Sequence, residues 1–197
     1  MARSCNFDRE EKLVMAMELF WQQGYDATSV ADLVSHLGIN RFSLYNTYGD
    51  KLSLYRESLK YYLDQYSQPK LAPLAENEGI DGLLIYIDRF VAIQREQKYG
   101  CFLQNAILEK IVSDEVVKEQ CDRLFDGMQA AFCQSLAYSK AHDELIEGVE
   151  PLKVSRFIIT QLQGIRVLGK ACQFEVIRDA VELLVDYLNG LKVVDSE

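Results

Sequence analysis

The sequence predicts an all-α protein of about nine helices, an N-terminal three-helix unit followed by a larger helical part. Three observations carry that prediction. Apolar residues recur at helical spacing along most of the 197 residues. No alternating run of β-branched residues stands between turn signals. The three prolines, Pro69, Pro73 and Pro151, fall where a helix would end or begin rather than inside one.

The first helix is expected from about Asp8 to Gln23, with Leu13, Ala16, Met17 and Phe20 on its apolar face and Gly24 as its stop. The second begins at Ser29, whose S-x-x-D spacing to Asp32 is a capping pattern. Val30, Leu33, Val34 and Leu37 follow at i, i+3, i+4 and i+7, and Gly38 closes the helix. Asn40 caps a third helix, and Ile39 with Leu44 has the spacing of a hydrophobic staple. Two short helices that each bury one side against the first form a helix-turn-helix. With Ile39, Leu44 and Tyr48 turned inward, Arg41, Phe42, Tyr45 and Asn46 are left on the outer face of the third helix. In such units that face enters a major groove.

The fourth helix is capped by Asp50 and runs to about Tyr66, carrying Leu52, Tyr55, Leu59 and Tyr62. Residues Ser67 to Gly79 read as a connection and a subdomain hinge. A fifth helix is expected from about Asp81 to Gln97, with Leu84, Ile87 and Val91 on one face and Tyr86 and Phe90 on another. A short sixth spans Cys101 to Ile111, and Ser113 is the expected cap of a long seventh that reaches Lys140. Val117, Cys121, Leu124, Met128, Ala131 and Phe132 are its apolar positions. Pro151 suits the first position of the eighth, which carries Val154, Phe157, Ile158, Gln161, Leu162 and Ile165. The ninth carries Phe174, Ile177, Val181, Leu184, Leu188 and Leu191.

Composition excludes several classes. Hydrophobic residues are 49% and charged residues 26%, an ordinary globular balance. The opening residues are charged and lack an apolar signal core, and no apolar run is long enough to span a bilayer. Neither a leader nor a membrane partner is expected. Five cysteines without a C-x-x-C pair point to a reducing cytoplasm rather than a disulfide framework. His36 and His142 lie far apart, and neither E-x-x-H nor H-E-x-x-H occurs. No nucleophile–base pair or phosphate loop is visible. The sequence therefore calls for no cofactor, no metal and no catalysis. The formal net charge of -9 is uneven: residues 1–60 hold 7 Lys/Arg against 8 Asp/Glu, and residues 61–197 hold 14 against 22. An almost neutral N-terminal part can present a basic face only if its acids point elsewhere.

The stretch "LVMAMELFWQQGYDATSVADLVSHLGINRFSLYNTYGDKLSLY" resembles the DNA-binding region of the TetR family of transcriptional regulators. The resemblance rests on Phe20, Gly24-Tyr25, Thr28-Ser29, Gly38, Leu44-Tyr45, Tyr48 and Lys51 in that order and spacing. The "GCFLQNAILE" segment also looks like a phrase common in one branch of the family. Phe42 stands where a small residue is frequent, Thr47 where many members have His, and Ala31 offers no polar group.

The resemblance implies a helix-turn-helix DNA-binding domain at residues 1–49 and a ligand-binding and dimerisation domain at residues 50–197. It assigns phosphate contacts to Thr28, Ser29, Tyr45, Thr47 and Lys51. Arg41, Phe42, Ser43 and Asn46 would face base edges, where Arg suits guanine, Asn suits adenine and Phe42 could touch a thymine methyl. Arg3 could reach a minor groove from an N-terminal arm. The implied partners are double-stranded DNA with a pseudo-palindromic operator, a small-molecule effector of unknown identity, and a second copy of the chain. Tyr86, Phe90, Cys101, Phe102, Phe125, Met128, Phe157 and Gln161 are candidates to line the effector pocket, and Arg89 or Arg166 could pair with an anionic effector. Ile177, Val181, Leu184, Leu188 and Leu191 could form the dimer interface. Cys101 at a helix start has a second reading as a thiol sensor, against the plainer one of a small buried residue. The acidic balance also suits another class, a helical small-molecule carrier or interaction protein that does not use its three-helix unit on DNA.

Overall fold

The computed structural model describes residues 7–76 and 79–193, so Arg3 lies outside the described residues. Its helices are α1 (Arg9–Gln23), α2 (Val30–Leu37), α3 (Arg41–Tyr48), α4 (Lys51–Tyr62), α5 (Pro73–Glu76), α6 (Gly79–Glu96), α7 (Phe102–Lys110), α8 (Glu115–Ala141), α9 (Pro151–Lys170) and α10 (Phe174–Asn189). Among the described residues there is no strand beyond one bridge, Leu145 to Lys192. Nine of these helices are the expected ones. The tenth, α5, stands in the stretch read as a connection, where Pro73 pre-sets the torsion of a first helical residue. The chain divides into two compact units, residues 1–67 with 101–123, and residues 68–100 with 124–197.

In the first unit, local chemistry sets the helix starts. Asp8 accepts from the Glu10 and Glu11 amides at 2.9 and 3.1 Å. Ser29 and Asp32 form a reciprocal capping box. Asn40 accepts from the Ser43 amide at 2.8 Å, and Asp50 from the Ser53 amide at 2.7 Å. Each such cap stabilises its helix by about 1 kcal/mol. The long helix α8 is capped by Asp114, not Ser113, because Asp114 Oδ1 reaches the Val116 and Val117 amides at 3.0 and 3.2 Å. Ser113 Oγ instead donates to the Lys110 carbonyl.

The core of this unit joins Leu13, Met17 and Phe20 of α1 to Leu33, Leu37 and Leu44 of the two short helices. Tyr55 of α4 and Phe102 of α7 extend it as a chain of edge-to-face rings. Phe20 to Tyr55 is 5.1 Å between centroids, Tyr55 to Phe102 is 5.6 Å, and Phe102 to Tyr62 is 5.8 Å. The expected α-helical repeat of α4 breaks after Tyr62, where Leu63–Ser67 forms a π-helical turn. The wider turn carries Leu63 into the core and leaves Tyr66 exposed.

In the second unit, Leu83, Ile87 and Phe90 of α6 pack with Met128, Phe132 and Leu136 of α8, Ile158, Leu162 and Ile165 of α9, and Leu184 and Leu188 of α10. The buried stripe of α6 thus runs through Leu83, not Leu84, and takes in Tyr86 and Phe90. A Cβ on Gly169 would stand 2.9 Å from Gln94 Cβ, so α6 and α9 approach closely there. Ser139 Oγ accepts from the Ile80 amide at 2.8 Å and donates to Glu144 at 2.6 Å, which ties the start of α6 to α8.

Candidate functional site

Leu44 and Tyr48 anchor α3 from within, at 0% and 5% exposure. Tyr48 Oη donates to the Arg9 carbonyl at 2.7 Å, which fixes the end of α3 on the start of α1. The outer face follows from that anchoring. Phe42 is 79% exposed, Arg41, Tyr45 and Asn46 are exposed, and Ser43 and Thr47 are half-buried. The Arg41 guanidinium lies 5.8 Å over the Tyr45 ring, which keeps it extended along the helix surface. An apolar ring flanked by Arg and Asn on an exposed short helix can meet a methyl group and hydrogen-bonding base edges together.

The acids of this region are engaged at helix starts. Asp32 and Asp50 both titrate below the usual carboxylate range. For Asp32 the main cause is the Ser29 hydroxyl, with the Ser29 amide next. For Asp50 it is the Ser53 amide. Asp26 is paired with Lys110 at 2.9 Å. Helix α3 itself carries no Asp or Glu, so its outer face holds no carboxylate of its own.

Ser29 is exposed beside that face, although its hydroxyl serves the α2 cap. Thr28 departs from the expectation. It is fully buried, and its Oγ1 donates to the Gly24 carbonyl at 2.6 Å, so it stabilises the turn and offers no surface to a phosphate. Lys51 is half-buried, with its ammonium 4.1 Å over the Tyr25 ring, and burial is the main cause that lowers its pKa.

Tyr25, which the sequence marks only as part of the family pattern, is held from several sides. Its amide donates to Glu109 at 2.9 Å, and the Lys110 ammonium lies 4.3 Å over its ring. Its ring also meets Tyr55 edge-on at 4.9 Å. The end of α7 therefore grips the turn before α2 through Glu109 and Lys110, 84 positions away in sequence. Gly24 makes this possible: it sits at φ +85°, and a Cβ there would collide with the Glu109 carboxylate. No sequence signal links residues so far apart.

The structure separates the expected pocket residues. Cys101 and Phe102 are buried in the first unit, at the start of α7. Cys121, in the same unit, is buried as well, and desolvation pushes its thiol up to about 12. In the second unit, Tyr86 and Phe90 line a cavity of about 210 Å³ together with Lys70, Pro73, Arg89 and Ile93. Met128 is buried, and Phe125 and Gln161 are half-buried, but none of the three lines that cavity. Phe157 is exposed and meets Tyr187 edge-on at 5.1 Å.

The expected pairing row on α10 is turned the other way. Ile177, Leu184 and Leu188 are buried within the single chain, Leu191 is buried just past the helix, and Val181 is half-buried. The large apolar residues left exposed on α9 and α10 are Leu152, Phe157, Val167, Val176, Leu183 and Tyr187. Positions 176, 183 and 187 repeat at seven and four, so a second apolar row was visible in the sequence.

A model of the family described as bacterial regulatory proteins, tetR family, matches residues 13–57. An uncharacterised HTH-type transcriptional regulator of Bacillus subtilis strain 168, YezE, is 33% identical over 196 residues, covering 96% of this chain and all of that one. The HTH-type transcriptional repressor ComR of Escherichia coli K12 is 38% identical, over 83% of this chain and 80% of its own. Among solved structures, a cysteine mutant of the TetR family regulator CifR with 26-base-pair operator DNA superposes with a TM-score of 0.76 at 25% identity, over 92% of this chain and 98% of that one.

Proposed function

This chain belongs to the TetR family of DNA-binding transcriptional regulators, and we propose that it is a repressor that binds a pseudo-palindromic operator as a homodimer and leaves it when a small molecule binds. The observation that carries this reading is the outer face of α3, where Phe42 is 79% exposed between Arg41 and Asn46 while Leu44 holds the opposite side. A single exposed ring is ordinary, but one set between Arg and Asn on a short helix anchored from behind suits a thymine methyl and the base edges beside it.

In this reading residues 1–49 contact DNA, and residues 50–197 take the effector and the second copy. Arg41, Phe42, Ser43 and Asn46 read base edges. Ser29, Tyr45, Thr47 and Lys51 hold phosphates. Pairing uses Phe157, Val176, Leu183 and Tyr187, the apolar face that the single chain leaves exposed on its last two helices. Two-fold pairing lets two short recognition helices add their free energies on two half-sites. Cys101 is a packing residue, because it is buried at the α7 start.

Release is a shift between two conformations, and an effector moves it only by its difference in affinity for the two. Glu109 and Lys110 of α7, which hold the Gly24–Asp26 turn, are the contacts through which such a shift would reach the recognition helix.

A gel-shift titration against the DNA upstream of the chain's own gene, at two salt concentrations, tests the reading. Affinity should fall steeply with salt, because phosphate contacts release counterions. The absence of a salt-sensitive complex with any upstream fragment would favour the small-molecule carrier instead.

A further inference from the structure

The cavity of the second unit has a chemical bias. Its walls are Pro73, Tyr86, Phe90 and Ile93, and its charged lining residues are Lys70 and Arg89. Among the described residues no carboxylate lines it. Arg89 is exposed, and among the described residues no hydrogen bond or ion pair engages it. A third cation stands behind the wall: the Arg166 guanidinium lies 5.0 Å over the Phe90 ring and is 9% exposed. Its polar partner is the neutral Gln163 at 3.3 Å, and among the described residues no carboxylate pairs with it.

In a chain of net charge -9, two cations lining one small apolar cavity, with a third over one of its wall rings, are a local reversal of sign. That reversal focuses potential toward anions.

We infer that this cavity binds a small carboxylate with an apolar body, a single aromatic ring or a chain of about eight carbons, with its carboxylate at Arg89. The inference rests on the effector reading above and names the ligand class. Size limits the body: about 210 Å³ holds about seven waters and lies below the range of about 300–1,000 Å³ usual for drug-sized ligands. Chemistry limits the charge. Among the described residues the lining is ring and aliphatic except at the two cations, so a second or third anionic group would be buried against apolar walls without a partner. A planar guanidinium matches a carboxylate through two parallel hydrogen bonds.

Isothermal titration calorimetry on the full chain tests it. The probes are benzoate, phenylacetate and octanoate, with benzamide, phenylacetamide and octanamide as neutral counterparts. At least one acid should saturate, and its amide should bind about tenfold or more weakly. Arg89→Ala, an exposed change, should weaken the same acid by a similar factor. Ile93→Trp, which fills the cavity and leaves the charges in place, should abolish binding. The inference is overturned if no acid binds the wild-type chain, if amides bind as tightly as acids, or if both variants bind like wild type. Gel shifts run with the same acid keep the two readings apart. An acid that binds in the calorimeter but leaves the operator complex intact keeps this site and removes its role as effector. A chain that never binds operator DNA removes the regulator reading and leaves the calorimetry standing.

Discussion

Lys51 and Arg41 lie close in sequence and are expected to fail differently. Lys51→Ala removes the phosphate contact proposed for its ammonium, so affinity should fall by a similar factor on all DNA sequences and the salt slope should drop by about one. Arg41→Ala should relax preference at one base position, at about 1–3 kcal/mol of discrimination. Binding assays on the operator and on single-base variants separate the two, and identical behaviour would remove the assignment of roles. Tyr55 offers a test of packing. Its hydroxyl is buried and has no hydrogen-bond partner among the described residues, and burial pushes its phenol well above the ordinary range. An unmet buried hydroxyl costs about 1–3 kcal/mol, so Tyr55→Phe should leave the melting temperature unchanged or raise it. A clear loss of stability would show that the hydroxyl has a partner. The helix caps give a pH dependence. Asp32 and Asp50 have folded pKa values below their unfolded ones. Their contribution is therefore present above the unfolded value of about 3.9 and is lost as pH falls through the lower folded values. Thermal melts of Asp32→Asn and Asp50→Asn should differ from wild type at pH 6, and the difference should shrink as pH falls through the folded values below about 3.9.

Among the elements, α7 is the one whose role the sequence left open. Its apolar pattern marks a short helix, and Phe102, Leu103 and Ala106 are buried as a helical stripe would be. What its far end holds is decided by Glu109 and Lys110, two charged residues that look like an ordinary solvated terminus. Glu109→Ala should free the Tyr25 amide and speed its hydrogen exchange, with little change in the exchange of the α1 core. Hydrogen exchange by NMR resolves that single amide, and an unchanged rate would mean that Glu109 does not hold the turn. The helix-turn-helix, by contrast, was almost fully legible. The Ser29–Asp32 box, the Asn40 cap and the Ile39–Leu44 staple are local, so their spacing alone locates α2 and α3 and decides which side of α3 is free. Thr28 is the exception. Its hydroxyl had the right chemistry for a phosphate, but the Gly24 carbonyl four residues back captured it.

At the scale of the molecule, the last helix shows how a periodic pattern can be read correctly and assigned to the wrong neighbour. Two apolar rows run along α10, one through Ile177, Leu184 and Leu188 and one through Val176, Leu183 and Tyr187. The first row is buried within the chain, and Leu183 of the second is 70% exposed. Leu183→Asp should therefore give a folded monomer, while Leu184→Asp should destabilise the chain itself by several kcal/mol through an unpaired buried charge. Sedimentation velocity and thermal melts on both variants check this. If Leu183→Asp stayed dimeric, this face would not be the pairing surface.

By itself the sequence determined which segments are helices, where most of them are capped, and which side of the recognition helix is left outside. Those features are set by neighbours three or four residues apart, and a helical repeat records them directly. Only the tertiary structure decided which of two apolar rows on α10 is core, that α7 grips the turn at Tyr25, and that Tyr86 and Phe90 share a cavity with Lys70 and Arg89. Each of these is a meeting of surfaces whose local patterns are equally compatible with several partners. The choice among them is made by close packing of whole helices, which no single stretch of sequence encodes.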